Sequence, residues 1–203
     1  MFIELTDHLA CPSAHEEQFL VLLPERMEGR RVVSGDLGCP VCGRVVRVTE
    51  GIADFGGAAP SDGRTGLTAE ALAAFFGLSG PGGYLALAGG VASLADDLAA
   101  LVPGVRLVLV NPPAETPDTE RGSVLRSARL PLKTGSLRGI AVGADLAADP
   151  EWIGDAARTV LPGLRMVAEG GAPPEDRIEE LGRVGAVWVG KARSPGRGGP
   201  GSA

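Results

Sequence analysis

The chain is poor in cysteine, histidine and aromatic residues, and it has neither a long apolar run nor a block of like charge. Of its 203 residues three are Cys, two are His, and the aromatics are five Phe, two Trp and one Tyr. So few aromatics, with a formal net charge of −6 from 19 Lys+Arg against 25 Asp+Glu, remove the basic, base-stacking surface with which proteins grip nucleic acids. No run approaches the ~20 apolar residues of a membrane span. The opening Met1-Phe2-Ile3-Glu4-Leu5-Thr6-Asp7 carries acids where a secretory signal carries bases. The expectation is an unexported, cytoplasmic protein with no membrane and no nucleic-acid partner. An odd number of cysteines, all within the first 42 residues, does not suit a disulfide framework. Metal ligation in a reducing compartment does.

The length allows one ordinary domain and a small appended one. Gly56-Gly57-Ala58-Ala59-Pro60-Ser61-Asp62-Gly63-Arg64-Thr65-Gly66 is dense in residues that punctuate structure, and it divides a segment holding every cysteine from one holding none. The expected organisation is a small metal-binding unit over 1–57, a linker over 58–66 and an α/β domain over 67–191. Residues 192–203, which end in Gly196-Arg197-Gly198-Gly199-Pro200-Gly201-Ser202-Ala203, offer nothing to bury and are expected as a disordered tail.

Within 67–191 helical and extended patterns alternate. Thr68 is a good N-cap, Leu67 and Leu72 are spaced as a hydrophobic staple, and Gly77 is a suitable C′ residue, so 68–77 reads as a helix. Tyr84-Leu85-Ala86-Leu87-Ala88 reads as a buried strand that Gly89-Gly90 turns into a helix carrying Leu94, Leu98, Leu101 and Val102, stopped at Pro103-Gly104. Residues 105–110 supply a second strand, apolar as a parallel strand covered on both faces should be, and 139–143 a third. Trp152, Ile153, Ala156, Ala157, Val160 and Leu161 form a helical stripe ended by Pro162-Gly163; 164–168 reads as a strand, 174–183 as a helix and 186–189 as a last strand. The fold class is therefore α/β: a small N-terminal unit, then a shortened, Rossmann-like, mostly parallel sheet with helices on both faces.

The metal-binding signal lies in two Cys-Pro turns. Cys39-Pro40-Val41-Cys42 followed by Gly43 has the spacing and the turn residue of a zinc knuckle, and Cys11-Pro12-Ser13-Ala14-His15 opens in the same way. Cys11, His15, Cys39 and Cys42 would give the four sulfur and nitrogen ligands of a structural zinc. His8 or water in place of His15 is the open alternative. Leu5-Thr6-Asp7-His8-Leu9-Ala10-Cys11-Pro12, Cys39-Pro40-Val41-Cys42-Gly43, and the run from Arg44 to Phe55 (RVVRVTEGIADF) together resemble the small zinc-ribbon proteins that bind and activate RNA and protein methyltransferases. The resemblance spans about residues 3–57, with His15 standing where that family has a cysteine. It implies a protein-interaction module, since four protein ligands leave zinc no open position for chemistry.

Three phrases of the second region resemble class I S-adenosylmethionine-dependent methyltransferases: Leu85-Ala86-Leu87-Ala88-Gly89-Gly90-Val91-Ala92, Leu130-Pro131-Leu132-Lys133-Thr134-Gly135-Ser136, and Arg158-Thr159-Val160-Leu161-Pro162-Gly163-Leu164. The resemblance places a cofactor at Ala88, Gly89, Gly90 and Asn111. Alanine stands at the acidic position Ala86 and at two glycine positions, Ala88 and Ala92, and Asn111 replaces the acid that would hold the ribose hydroxyls. Asn111-Pro112-Pro113-Ala114 has the letters of an amino-methylating motif on the wrong strand. Asp145 is either a substrate-facing acid or a loop and cap carboxylate, and no catalytic residue is assigned. One strand of the usual terminal antiparallel pair is expected to be missing. The sequence thus supports a methyltransferase-like protein that has lost or weakened S-adenosylmethionine binding and works through a protein partner. An active methyltransferase of unassigned substrate is the alternative, and pairing of two copies is left open.

Overall fold

The computed structural model describes residues 1–194; of the expected tail, 195–203 lie outside the described residues. A 3-10 turn, Ile3–His8, precedes four strands: β1 (Val21–Glu28), β2 (Arg31–Gly38), β3 (Val45–Thr49) and β4 (Ile52–Asp54). Helix α1 (Ala69–Phe76) follows, then β5 (Tyr84–Ala88), a 3-10 turn (Gly89–Leu94), α2 (Ala95–Leu101), β6 (Arg106–Val110), β7 (Gly122–Arg126) and β8 (Leu137–Val142). Helices α3 (Ala144–Ala147) and α4 (Pro150–Thr159) lead into β9 (Val160–Glu169), β10 (Ile178–Val184) and β11 (Val187–Ala192). All eleven strands form one sheet in the order β1-β2-β3-β4-β7-β6-β5-β8-β9-β11-β10. It is parallel from β4 to β9 and antiparallel at both ends.

The segment expected as a separate N-terminal unit thus continues the α/β sheet. Strand β4 pairs in parallel with β7, Ala53 opposite Leu125 and Asp54 opposite Arg126. One face of the sheet is covered by α1 and α2, whose Leu72, Phe76 and Leu98 pack against Leu85, Leu87, Leu107 and Leu109. The other face has α4, with Trp152, Ile153 and Ala156 buried, but the crossovers at 111–121 and 127–136 carry no helix. Their place is taken by the N-terminal segment. Met1, Leu5 and Leu9 are fully buried in the same core as Ala86, Val108, Val110, Leu125 and Leu132. Backbone bonds fasten it: Ala10 donates to the Pro131 carbonyl (3.0 Å) and Lys133 to that of His8 (2.8 Å).

Helix α1 has the caps its sequence calls for, the Thr68 hydroxyl accepting from the Ala71 amide and Gly77 left-handed. Other elements depart from expectation. Where a helix is expected over 174–183, a turn at 175–177 leads into the edge strand β10. Ile178, Leu181 and Val184 recur every three residues, a helical spacing, but a bulge between Glu180 and Gly182 resets the alternation, and only Ile178 is buried. The terminal antiparallel pair is therefore complete, and the shortening lies instead in the two helix-free crossovers. Helix α4 stops at Thr159, and Pro162-Gly163, expected as its terminator, falls inside β9, where the register with β8 shifts. Strand β7, which fills the gap between β6 and β4, is absent from the sequence-based set.

Because the N-terminal segment does the work of core helices, Leu9→Ala is expected to lower the unfolding free energy by about 2–5 kcal/mol in urea titration. A loss under about 1 kcal/mol, the size of a surface substitution, would place Leu9 outside the common core.

Candidate functional site

The two Cys-Pro turns meet. The first is closed by the Cys11 amide donating to the Gln18 carbonyl (2.9 Å); the second by Cys39 donating to Arg44 (2.8 Å) and Gly43 to Cys39 (3.0 Å), with Gly43 at φ +71°. The ligand atoms of Cys11, His15, Cys39 and Cys42 lie within 4.8 Å of one another. The Sγ atoms of Cys11 and Cys42 are 3.7 Å apart, and Cys39 Sγ is 3.5 Å from His15 Nε2. Tetrahedral zinc, with bonds of about 2.3 Å to sulfur and about 2.0 Å to nitrogen, sets these separations at about 3.8 and about 3.6 Å. The donor set therefore fits zinc in both chemistry and spacing.

His15 is oriented from behind, its Nδ1 lying 2.7 Å from the Glu16 carbonyl, which turns Nε2 toward the thiols. His8 stands elsewhere, its ring edge-on to Tyr84 with centroids 4.7 Å apart. The backbone amide of Arg44 lowers the Cys42 thiol to about 6, and that of Cys42 lowers Cys39, while burial raises Cys11. The Glu16 carbonyl is the largest of the influences that raise His15 to about 9. Beside the cluster Phe19, Val21, Leu23, Val41 and Val45 are all exposed. Val21 and Val45 flank Gly38 across three strands, and Leu23 lies two residues along from Val21, so Val21, Leu23 and Val45 share the outer face of the sheet.

The second expected site lies at the carboxyl ends of β5 and β6. Gly89 is left-handed at φ +74°, and the Gly90 amide donates to Asp145 Oδ1 (3.2 Å). Asp145, in the first turn of α3, folds back over this loop so closely that a Cβ on Gly89 would collide with its carboxylate. Asn111 is buried, 4% exposed, and left-handed at φ +51°. Its Nδ2 donates to the Ser127 carbonyl and its Oδ1 accepts from the Ser127 amide, both at 2.8 Å. The side chain expected to reach a ribose thus ties the end of β6 to the end of β7. Ala88 is fully buried, its carbonyl accepting from the Gly143 amide (2.9 Å). A cavity of about 310 Å³, lined in part by Asn111, Ser127, Asp145 and Trp152, remains nearby.

No family model matches this sequence, and no curated protein does. Solved methyltransferase structures resemble the fold. Geranyl diphosphate C-methyltransferase from Streptomyces coelicolor A3(2) matches at 18% identity with a TM-score of 0.43, over 49% of this chain and 43% of that one. The antibiotic-resistance methyltransferase Kmr matches at 12% identity and TM-score 0.42, over 68% of this chain and 99% of that one. A complex between the Haloferax volcanii Trm112 methyltransferase activator and a methyltransferase matches at 20% identity and TM-score 0.37, over 43% of this chain and 45% of that one. The match covers less than half of the geranyl diphosphate enzymes' length.

Sequence reasoning missed two participants at the crevice. Glu169, 7% exposed at the end of β9, accepts from the Gly66 amide (2.6 Å), and Ser127 is the partner of Asn111. A lone acid closing the apolar run Met166-Val167-Ala168 is a readable signal for the first; nothing local marks the second. Restoring an acid by Asn111→Asp is expected to destabilise the fold by about 1–3 kcal/mol, because a carboxylate oxygen would face the Ser127 carbonyl in place of a donor. Urea unfolding checks this, and unchanged stability would free Asn111 for a ligand.

Proposed function

We propose that this chain is a methyltransferase-like protein whose S-adenosylmethionine binding is weakened or lost, and which acts through a protein partner on a zinc-stiffened N-terminal surface. The observation that carries the reading is the closed state of the cofactor loop. The amide of Gly90 is taken by Asp145, and both polar groups of Asn111 are taken by Ser127. A cofactor carboxylate at the loop would meet Asp145 as a like charge, and a ribose diol would find Asn111 buried and turned to the Ser127 backbone in place of a free carboxylate. The residues present do not fit that cofactor.

The four ligands do fit zinc, and a closed set of four makes its role structural. Zinc would hold together the turns that precede and follow the β1–β2 hairpin, both at its open end, and with them the exposed face bearing Val21, Leu23 and Val45. Apolar side chains grouped in this way support a docking role. The second reading, an active methyltransferase, is favoured by the complete strand order with its terminal antiparallel pair, since methyl transfer by positioning asks little of side chains. The substrate class is not assigned under either reading.

Titration calorimetry with S-adenosylmethionine and S-adenosylhomocysteine separates the two: no heat at millimolar ligand is expected, and micromolar binding would establish the enzyme reading instead. For the metal, one zinc per chain is expected by elemental analysis, with loss in Cys39→Ser and at least tenfold weaker retention, about 1.4 kcal/mol, in His15→Ala. Full retention in both variants would remove this ligand set.

A further inference from the structure

Residues 56–66 cross the carboxyl edge of the sheet. The Ala128 amide donates to the Gly56 carbonyl (3.1 Å), Ser61 forms a parallel bridge with Pro113, and the Gly66 amide donates to Glu169 (2.6 Å). Between the last two the Arg64 backbone lies directly on the glycine loop. An added Cβ on Gly90 would collide with the Arg64 carbonyl oxygen, and its three nearest atoms would all belong to the Arg64 backbone. The path therefore runs over the ends of β7, β6 and β5 to that of β9. The sequential order of the parallel strands reverses between β5 and β8, the switch point outside which open α/β sheets bind ligands.

We infer that this segment is a displaceable plug, a strap that occupies the crevice in place of a ligand. The inference rests on the reading of a closed crevice and names what closes it. Gly89 and Gly90 then serve to receive Asp145 and the strap. Two features make the strap separable from the sheet. Its glycines Gly56, Gly57 and Gly63 are left-handed, at φ +80°, +76° and +75°. Its far end is held by a single carboxylate contact, because Oε2 of the buried Glu169 has no hydrogen-bond partner. The cavity of about 310 Å³ beneath the strap, walled on one side by residues 57–62, is the space its departure would open.

The test uses the full chain and two variants that act on the strap from opposite sides. Gly90→Ala inserts a methyl group whose nearest neighbours are the Arg64 backbone atoms, at a residue outside the left-handed region and so compatible with alanine. Glu169→Ala removes the fastener, and Glu169→Gln restores a neutral acceptor. The readout is tryptic nicking after Arg64, whose side chain is 90% exposed, followed by mass spectrometry, with circular dichroism to confirm that each variant is folded. Removing a charged hydrogen bond is expected to raise nicking about tenfold in Glu169→Ala, with a comparable rise in Gly90→Ala and a rate near wild type in Glu169→Gln. Equal rates in folded wild type and both alanine variants overturn the plug, and with no heat from S-adenosylhomocysteine the closed-crevice reading survives. Micromolar binding of S-adenosylhomocysteine by the wild type overturns the reading and the plug together.

Discussion

The face of β5, β6 and β7 that no crossover helix covers must be buried, and most of the architecture follows from that requirement. A parallel sheet is stable with both faces covered. Here part of the cover on one face comes from the N-terminal segment, through Met1, Leu5 and Leu9. Once that segment lies on the sheet, the strands after it are positioned to extend the sheet edge, and β4 does so by pairing with β7. Polar contacts follow the same seam. The Met1 amino group is 2.5 Å from Asp118, which also pairs with Arg31, and the Arg106 guanidinium lies 4.1 Å over the Phe2 ring.

The cysteine and histidine cluster sits at the end of this arrangement. Its ligands come from turns on either side of the β1–β2 hairpin, so a metal there joins residues 24 or more positions apart. A segment of this size buries little apolar surface by itself. The sheet it extends supplies much of its cover, a metal at the cluster would add to its stability, and the apolar residues on its outer face, Val21, Leu23 and Val45, remain exposed.

The crevice illustrates how polar satisfaction decides a site. A glycine loop at a strand end presents amides and open backbone, and these attract whatever acceptor is near. In this chain the acceptor is its own, the Asp145 carboxylate at the Gly90 amide, and the Arg64 backbone packs against Gly90. Asn111 likewise exchanges two hydrogen bonds with the Ser127 backbone.

What was legible in the sequence was local. The two pairs Cys11/His15 and Cys39/Cys42, the capping residues Thr68 and Gly77, and the strand, glycine turn and helix from Tyr84 onward each depend on residues a few positions apart; the caps and the strand, turn and helix have their counterparts in the structure, and the two pairs meet there. Strand β10 was misread because a bulge gave three-residue spacing to an edge strand, and an edge needs little apolar patterning to declare itself. The continuation of the sheet through β4 and β7, the covering of a bare face by Leu5 and Leu9, and the engagement of Asn111 and Gly90 all pair residues far apart in sequence. The sequence alone determined which local turns and strands this chain makes and which side chains could ligate a metal. Only the tertiary structure decided which hydrogen-bonding groups remain free, because that depends on partners the folded chain brings together from a distance.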